Sequence, residues 1–244
     1  MNQAIDILLN HTSIRKYKDV AISQDIKEII IRSSQMAPSS SHFQAYMMIE
    51  IKNKALREMF FEISGGQKWI LSAPLVILYC ADLHRAENYF NGLDKKVLSN
   101  LESYTVAVTD ASIAMQKGLI AAQLMGLGGV VVGGIRNNVD KICKTLNLPQ
   151  KVAPLFLLCL GYPDESVGIK PRLPMEAVYC VDGYDETEQD NLIRDYNETV
   201  KDYYLNRSDG KMSESWSQRC GRLLMAKTRY EVGETLREKG LAIE

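Results

Sequence analysis

Histidine is scarce in this sequence. His11, His42 and His84 are the only three, and no acid stands at metal-ligand spacing from any of them. That pattern speaks against a zinc hydrolase. Cysteine is used sparingly too: Cys80, Cys143, Cys159, Cys180 and Cys220 are scattered, odd in number and without a C-x-x-C pair. Neither a disulfide framework nor a zinc site follows, and the pattern is that of a reduced, cytoplasmic chain. Several of these thiols lie in apolar runs, where they act as small hydrophobes. An excess of one charge is lacking: 29 Lys and Arg face 30 Asp and Glu, for a net charge of −1. No bulk field therefore draws nucleic acid or an anionic membrane. No apolar run approaches the ~18 residues of a membrane span. The opening "MNQAIDILLN" is acidic and lacks a long apolar core, so it does not read as a signal peptide.

Nucleotide and acyl-transfer signatures are missing as well. "GLGGVVVGG" puts Val131 where the third glycine of G-x-G-x-x-G belongs, and it follows a helical pattern rather than a strand. There is no G-x-x-x-x-G-K-[ST] and no G-x-S-x-G elbow, so neither a P-loop nor a nucleophilic serine is supported.

What is present is a core. The 244 residues are 46% hydrophobic and 24% charged, enough for one large domain or two small ones. Apolar residues at 4, 5, 8 and 9 repeat at helical spacing and stop at Asn10. Ser23 is the expected N-cap of a second helix with Ile26, Ile29, Ile30 and Met36 inward. "AYMMIEI" (45–51), "PLVILYCA" (74–81), "GVVVGG" and "PLFLLCLG" (154–161) read as strands, the second and fourth fully buried. "KALREMFFEI" reads as a helix. A long helix is expected over 98–125, with Gly126 as its stop; its later part is apolar nearly all round and so needs two surfaces to bury it. Gly128 and Gly129 read as a turn, and Asn138 as a cap. Gly133 and Gly134 end a buried strand, where missing side chains let a flat ligand approach the backbone. After Asp182 the chain becomes polar, amphipathic and helical. The class is mixed α+β.

Four loops carry uncharged donors or cations: "HTSIR" (11–15), "SSS" (39–41), "GGQK" (65–68) and "KPR" (170–172). Singly, each reads as ordinary turn chemistry. Together, His11, Arg15, Lys170 and Arg172 could surround one phosphate, and the arginine fork suits bidentate contact. Ser, Gln and backbone N–H groups could bond the rim of a polar heterocycle. A phosphate plus a flat ring without a Rossmann fold suggests a mononucleotide such as FMN.

With those stretches in view, the sequence resembles the FMN-dependent nitroreductase family, in particular its branch of NADPH nitroreductases and NADPH-flavin reductases. "HTSIRKY", "SSSHFQA", "SGGQKW", "GLGGVVVGGIRNN", "APLFLLCLGYP", "KPRLP" and "YYLNRSDG" carry the resemblance over essentially the whole chain. His42-Phe43 stands where the family commonly has Phe-Leu, and Trp69 where it varies; both adjoin the expected mouth of the site.

The resemblance implies a central, mostly antiparallel sheet wrapped by helices, in an intertwined homodimer with FMN at the interface. It implies a single domain over 1–244, with 183–244 as a helical extension embracing the partner. His11, Ser13, Lys170 and Arg172 would hold the phosphate and ribityl tail of non-covalent FMN, and Arg15 the N1/O2 edge of its ring. Ser39, Ser40, Ser41 and Gln67 would add polar contacts from the partner subunit. Trp69 would line the site, and the backbone at Gly133 and Gly134 would lie near N5 and O4. The implied reaction is ping-pong hydride transfer through FMN N5, from NADPH or NADH to a nitroaromatic, a quinone or a flavin. No catalytic side chain is singled out. For the 2′-phosphate of NADPH, Arg207 aligns with the first of two family arginines; Met212 replaces the second, with Lys211 beside it. The alternatives are a non-catalytic flavin carrier and a flavin-free binding protein.

Overall fold

The computed structural model describes residues 2–242. Its elements run α1 (Gln3–Leu9), α2 (Gln24–Gln35), β1 (Tyr46–Glu50), α3 (Lys54–Ile63), α4 (Trp69–Ser72), β2 (Leu75–Asp82), α5 (His84–Tyr89), α6 (Leu101–Leu124), β3 (Gly128–Val132), α7 (Val139–Thr145), β4 (Val152–Gly161), α8 (Gln189–Arg207), α9 (Trp216–Met225) and α10 (Glu231–Glu238). Two compact units result: residues 2–167 with 229–242, and Gly168–Thr228.

The first unit is built on one four-stranded sheet in the order β1-β2-β4-β3, every pair antiparallel. Alternation along β2 explains why the strand is apolar throughout. Leu75, Ile77, Tyr79 and Ala81 face one core with Ile30 and the alanines of α6, while Val76, Leu78 and Cys80 face another with Phe60, Ile70 and Ile142. With both faces covered, neither set can be polar. Pro154 was the expected start of β4, yet the strand begins at Val152. The pairing slips between Tyr79 and Cys80, opposite Phe156 and Pro154. A proline can lie inside a central strand at such an irregularity, where a ladder bond is already missing.

Other local expectations hold. Ser23 accepts from Ile26 N, Asn138 accepts from Lys141 N, and Gly126 follows the Met125 cap at φ +80°. The inward face of α2 differs from the expected one. Ile29 is 48% exposed and Met36 72%. The buried stripe instead passes through Ile30 and Ser34, whose hydroxyl meets the Tyr79 hydroxyl at 3.1 Å. Gly118 permits this, since a β-carbon there would overlap the Ser34 oxygen. The long helix α6 opens at Leu101, capped by Asn100, with Leu98 in a preceding 3-10 turn. It buries Ala107, Ala111, Ala114, Gly118 and Ala122, and leaves Ile113 and Leu124 partly open.

Gly128 and Gly129 do not form a turn. They are the first two residues of β3, with Gly128 paired to Gly161 of β4. A β-carbon on Gly128 would come within 2.5 Å of Ile14, one on Gly129 within 2.7 Å of the Cys159 carbonyl, and one on Gly161 within 2.8 Å of the Tyr17 ring. The paired glycines form a notch that receives the segment 11–17.

The last helix, α10, belongs to the sheet-bearing unit, where Leu236 and Leu241 join the core. The second unit holds α8 and α9. Its own core is Tyr196, Val200 and Tyr204 of α8 with Leu173, Tyr203 and Trp216 around them.

Candidate functional site

The notch answers why His11, Ser13 and Arg15 alternate with Ile14 and Tyr17. Ile14 N–H donates to Gly129 O at 3.0 Å, and the buried Ile14 side chain fills the space over Gly128. The Tyr17 hydroxyl donates toward the carbonyls of Ile14 (2.7 Å) and Cys159 (3.2 Å). Burial pushes this phenol far above its ordinary range, so it stays protonated. Glu165 locks the outer side: its Oε1 accepts the N–H groups of Arg15 (2.5 Å) and Lys16 (3.0 Å). With two apolar side chains inward and the backbone fixed, Arg15 and Lys16 are left exposed, while His11 and Ser13 are half-buried. Nδ1 of His11 lies 3.1 Å from the Gln123 amide nitrogen.

Four sequence-predicted residues converge from three segments. The Arg15 guanidinium lies over the Trp69 ring, 5.3 Å from its centroid. Trp69 opens α4, two residues after Gln67. Gln67 Nε2 donates to Ser64 O at 3.0 Å and lies against Gly134, where a β-carbon would overlap that nitrogen. Gln67 therefore shares its corner with Arg15 of its own chain. Gly133 and Gly134 open the 3-10 turn Gly133–Asn137 directly after β3. The Arg136 guanidinium packs on Gly133 and donates to Leu155 O at 2.7 Å. Trp69 Nε1 is buried without a partner. Among the described residues the Arg15 guanidinium meets no carboxylate; its one hydrogen bond is to Ser13 O at 3.3 Å.

The serine loop stands elsewhere on the same unit. Residues Ser40–His42 form a 3-10 turn, and Ser41, His42 and Gln44 all have positive φ (47°, 59° and 54°). Ser39 Oγ is used inside the loop, accepting Gln44 N–H at 2.6 Å. Sequence reasoning missed Asp110, which reaches this loop from α6. The only signal was one carboxylate inside the apolar stretch of a long helix.

In the second unit, Lys170 Nζ lies 5.4 Å from the Tyr204 ring centroid, and Arg219 covers the same ring at 4.9 Å. Arg172 Nη1 donates to Lys170 O at 2.8 Å, and Tyr196 donates its hydroxyl to Pro171 O at 3.0 Å, which together shape the KPR turn. Arg207 is the last residue of α8 rather than a loop residue; its Nη1 donates to the Tyr203 hydroxyl at 2.8 Å. Lys211 follows in the turn before α9.

The described residues contain no cluster of three or more His, Cys, Asp and Glu that could hold a metal ion. None of their helices is long and apolar enough to cross a membrane. Cys80 and Cys159 are fully buried, and burial pushes the Cys159 thiol up to about 12, which removes it from thiolate chemistry.

Comparison with known proteins adds to this geometry. The description "Nitroreductase family" matches residues 8–162, and "Nitroreductase family, C-terminal domain" matches 170–244. An oxygen-insensitive NADPH nitroreductase of Salmonella typhimurium is 36% identical, with 99% of each chain covered. An FMN reductase (NADPH) of Bacillus subtilis is 34% identical, with 98% of each covered. Among solved structures, a nitroreductase from B. subtilis superposes with a TM-score of 0.95 at 33% identity, covering 99% of this chain and all of that one. The NADPH:FMN oxidoreductase of Vibrio harveyi, in complex with NAD+, superposes at 0.89 with 32% identity and full coverage of both chains. By family match, identity and fold together, the chain belongs to the nitroreductase family.

Proposed function

We propose that this protein is an FMN-dependent NAD(P)H oxidoreductase that passes reducing equivalents to small acceptors such as nitroaromatics, quinones and flavins. The observation that carries the reading is the convergence of Arg15, Gln67, Trp69 and Gly134 on one corner beside the glycine notch. The residues fit FMN. An amide donor, and a cation that meets no carboxylate among the described residues, suit the edge of a flat, acceptor-bearing ring. Lys170 and Arg172, which form no ion pair among the described residues, suit a phosphate dianion.

When bound, FMN supplies the hydride chemistry. The chain binds, orients and tunes. Arg15, placed by the Glu165 clamp, offers a fixed positive charge to the ring edge and favours the state that carries negative charge there. The space left by the missing side chains of Gly133 and Gly134 is taken by the Arg136 guanidinium and the Gln67 amide, not left open to a flat ligand as the sequence suggests. Gln67, held by Ser64, supplies a neutral donor.

Functioning as a homodimer completes the reading. Large apolar side chains stay open: Leu124 on α6, and Val178, Tyr179, Val181 and Tyr184 in the segment before α8. Exposed apolar side chains close together in sequence, as at 178–184, ask for a partner surface, and a second copy of this chain is the one proposed.

The purified protein should be yellow, carry about one extractable FMN per chain and lose its visible absorbance on anaerobic NADPH. Sedimentation should show a dimer. A colourless protein that takes up no added FMN would sink the reading, and an FMN-loaded monomer would remove the shared site.

A further inference from the structure

Asp110 is the one buried carboxylate in the inner half of α6, 1% exposed. Its two oxygens do not face a cation. Oδ1 accepts the N–H of Ser40 at 3.1 Å and Oδ2 the N–H of Ala45 at 3.0 Å. One side chain thus ties together the two ends of a turn. Between those ends lie Ser41, His42 and Gln44, three non-glycine residues with left-handed backbone. Such residues are strained and persist only where their surroundings over-determine them. Arg85 completes the frame: it donates to the carbonyls of Gln44 and Tyr46 and is itself held by the buried Asp82 at 3.1 Å.

The division of labour among the hydroxyls is informative. Ser39 Oγ is used inside the loop. Among the described residues, no hydrogen bond engages the hydroxyl of Ser40 or Ser41. Asp110 and Ser39 satisfy the backbone donors, which leaves the two exposed hydroxyls to something outside the chain.

We infer that Asp110 is a positioning residue for flavin binding: its carboxylate holds the 40–45 turn strained and pre-formed, so that the hydroxyls of Ser40 and Ser41 meet FMN without reorganisation. This rests on the reading of the site as an FMN site. Ser39 then acts within the loop rather than on the ligand.

The test is isosteric. Asp110→Asn keeps the shape but turns an N–H toward one of the two backbone N–H groups. Flavin is removed from the wild type, from Asp110→Asn and from Asp110→Asn/His42→Gly, and each is titrated with FMN by fluorescence. Asp110→Asn should bind FMN at least tenfold more weakly, with kcat at saturating FMN within about threefold of wild type. Adding His42→Gly should recover part of the affinity, because glycine holds the left-handed angle without a clamp. Asp110→Asn that melts like wild type and binds FMN within twofold overturns the proposal, as does a double variant that recovers nothing. Deuterium exchange in peptides spanning 39–46 of the flavin-free wild type gives a second readout, independent of whether the variant folds. Slow exchange there supports the pre-formed turn; exchange that slows only on adding FMN overturns it. Wild type that takes up no FMN would instead sink the functional reading, while the exchange arm still reports on the clamp.

Discussion

The two units hold their cations differently. In the sheet-bearing unit three arginines donate to backbone carbonyls, while Arg15 lies over the Trp69 ring. Arg57 takes Ile51 and Ala73, Arg85 takes Gln44 and Tyr46, and Arg136 takes Leu155. Carboxylates do the reverse, with Asp110 and Glu165 each accepting two backbone N–H groups. In the helical unit Lys170 and Arg219 lie over Tyr204 and Arg207 over Tyr203, while Arg172 donates to the Lys170 carbonyl and Arg222 pairs with Glu214. A hydrogen bond weakens steeply with misalignment, whereas a cation can slide across a ring face. The first unit therefore fixes its loops through backbone bonds, and the cations that can adjust are those over rings: Arg15 in the first unit, and Lys170, Arg207 and Arg219 in the second.

That contrast is tested hardest at the glycine notch. Gly128→Ala would place a methyl 2.5 Å from Ile14 Cγ1, and Gly161→Ala one 2.7 Å from Pro74 Cδ and 2.8 Å from Tyr17. Overpacking of this sort costs about 1–3 kcal/mol, and the segment it displaces carries Arg15. Both variants should unfold at clearly lower urea and bind FMN poorly. An unchanged unfolding midpoint would mean that the segment 11–17 is not locked to the sheet.

The next effect separates the two modes directly. Charge-assisted hydrogen bonds contribute about 1.5–3 kcal/mol each, so Arg15→Ala and Arg172→Ala should each weaken FMN binding roughly ten- to a hundredfold. The lysine variants sharpen the comparison. Arg15→Lys should recover only part of the loss, because lysine brings a point charge without the planar guanidinium that lies over Trp69. Arg172→Lys should recover most of the loss, since Arg172 is exposed and bonded only to its neighbour Lys170. Equal recovery at both positions, by fluorescence titration, would erase the distinction between a guanidinium stacked on a ring and a solvated one.

Much of the first unit was legible because its strands are apolar on both faces and bounded by turn chemistry. β2 and β4 stand within two residues of where their composition puts them. The loops of the site were legible through their donors. Their clamps were not. Glu165 lies 150 positions from Arg15, and Asp110 70 from Ser40; both bond to backbone, which any sequence supplies. Gly128 and Gly129 misled for a related reason. A glycine pair after a helix looks like a turn, and only the tertiary approach of Ile14 and of β4 shows why side chains are excluded there. Helix α2 misled through its exposed Ile29, because the buried place at the next turn belongs to a serine paired with Tyr79.

The smallest expected effect lies at the adjustable end. NADPH differs from NADH only by a 2′-phosphate, so a residue that distinguishes them must be cationic. Arg207 closes α8, where the helix dipole already favours a cation, and its guanidinium is shared between the Tyr203 hydroxyl and ring. To bind a phosphate it must leave both, and both contacts are exposed and weak. Among the described residues no ion pair engages Lys211, four positions on, but lysine offers a point charge rather than a fork. Solvated charge pairs contribute about 0.2–1 kcal/mol, which is a few-fold in binding. NADPH should therefore be preferred, and Arg207→Ala should lower kcat/KM for NADPH a few-fold while leaving that for NADH in place. Tyr203→Phe keeps the ring and frees the guanidinium from the hydroxyl, so it should shift the ratio slightly the other way. If the ratio of kcat/KM for the two nucleotides stayed the same in Arg207→Ala, this helix end would not be reading the phosphate.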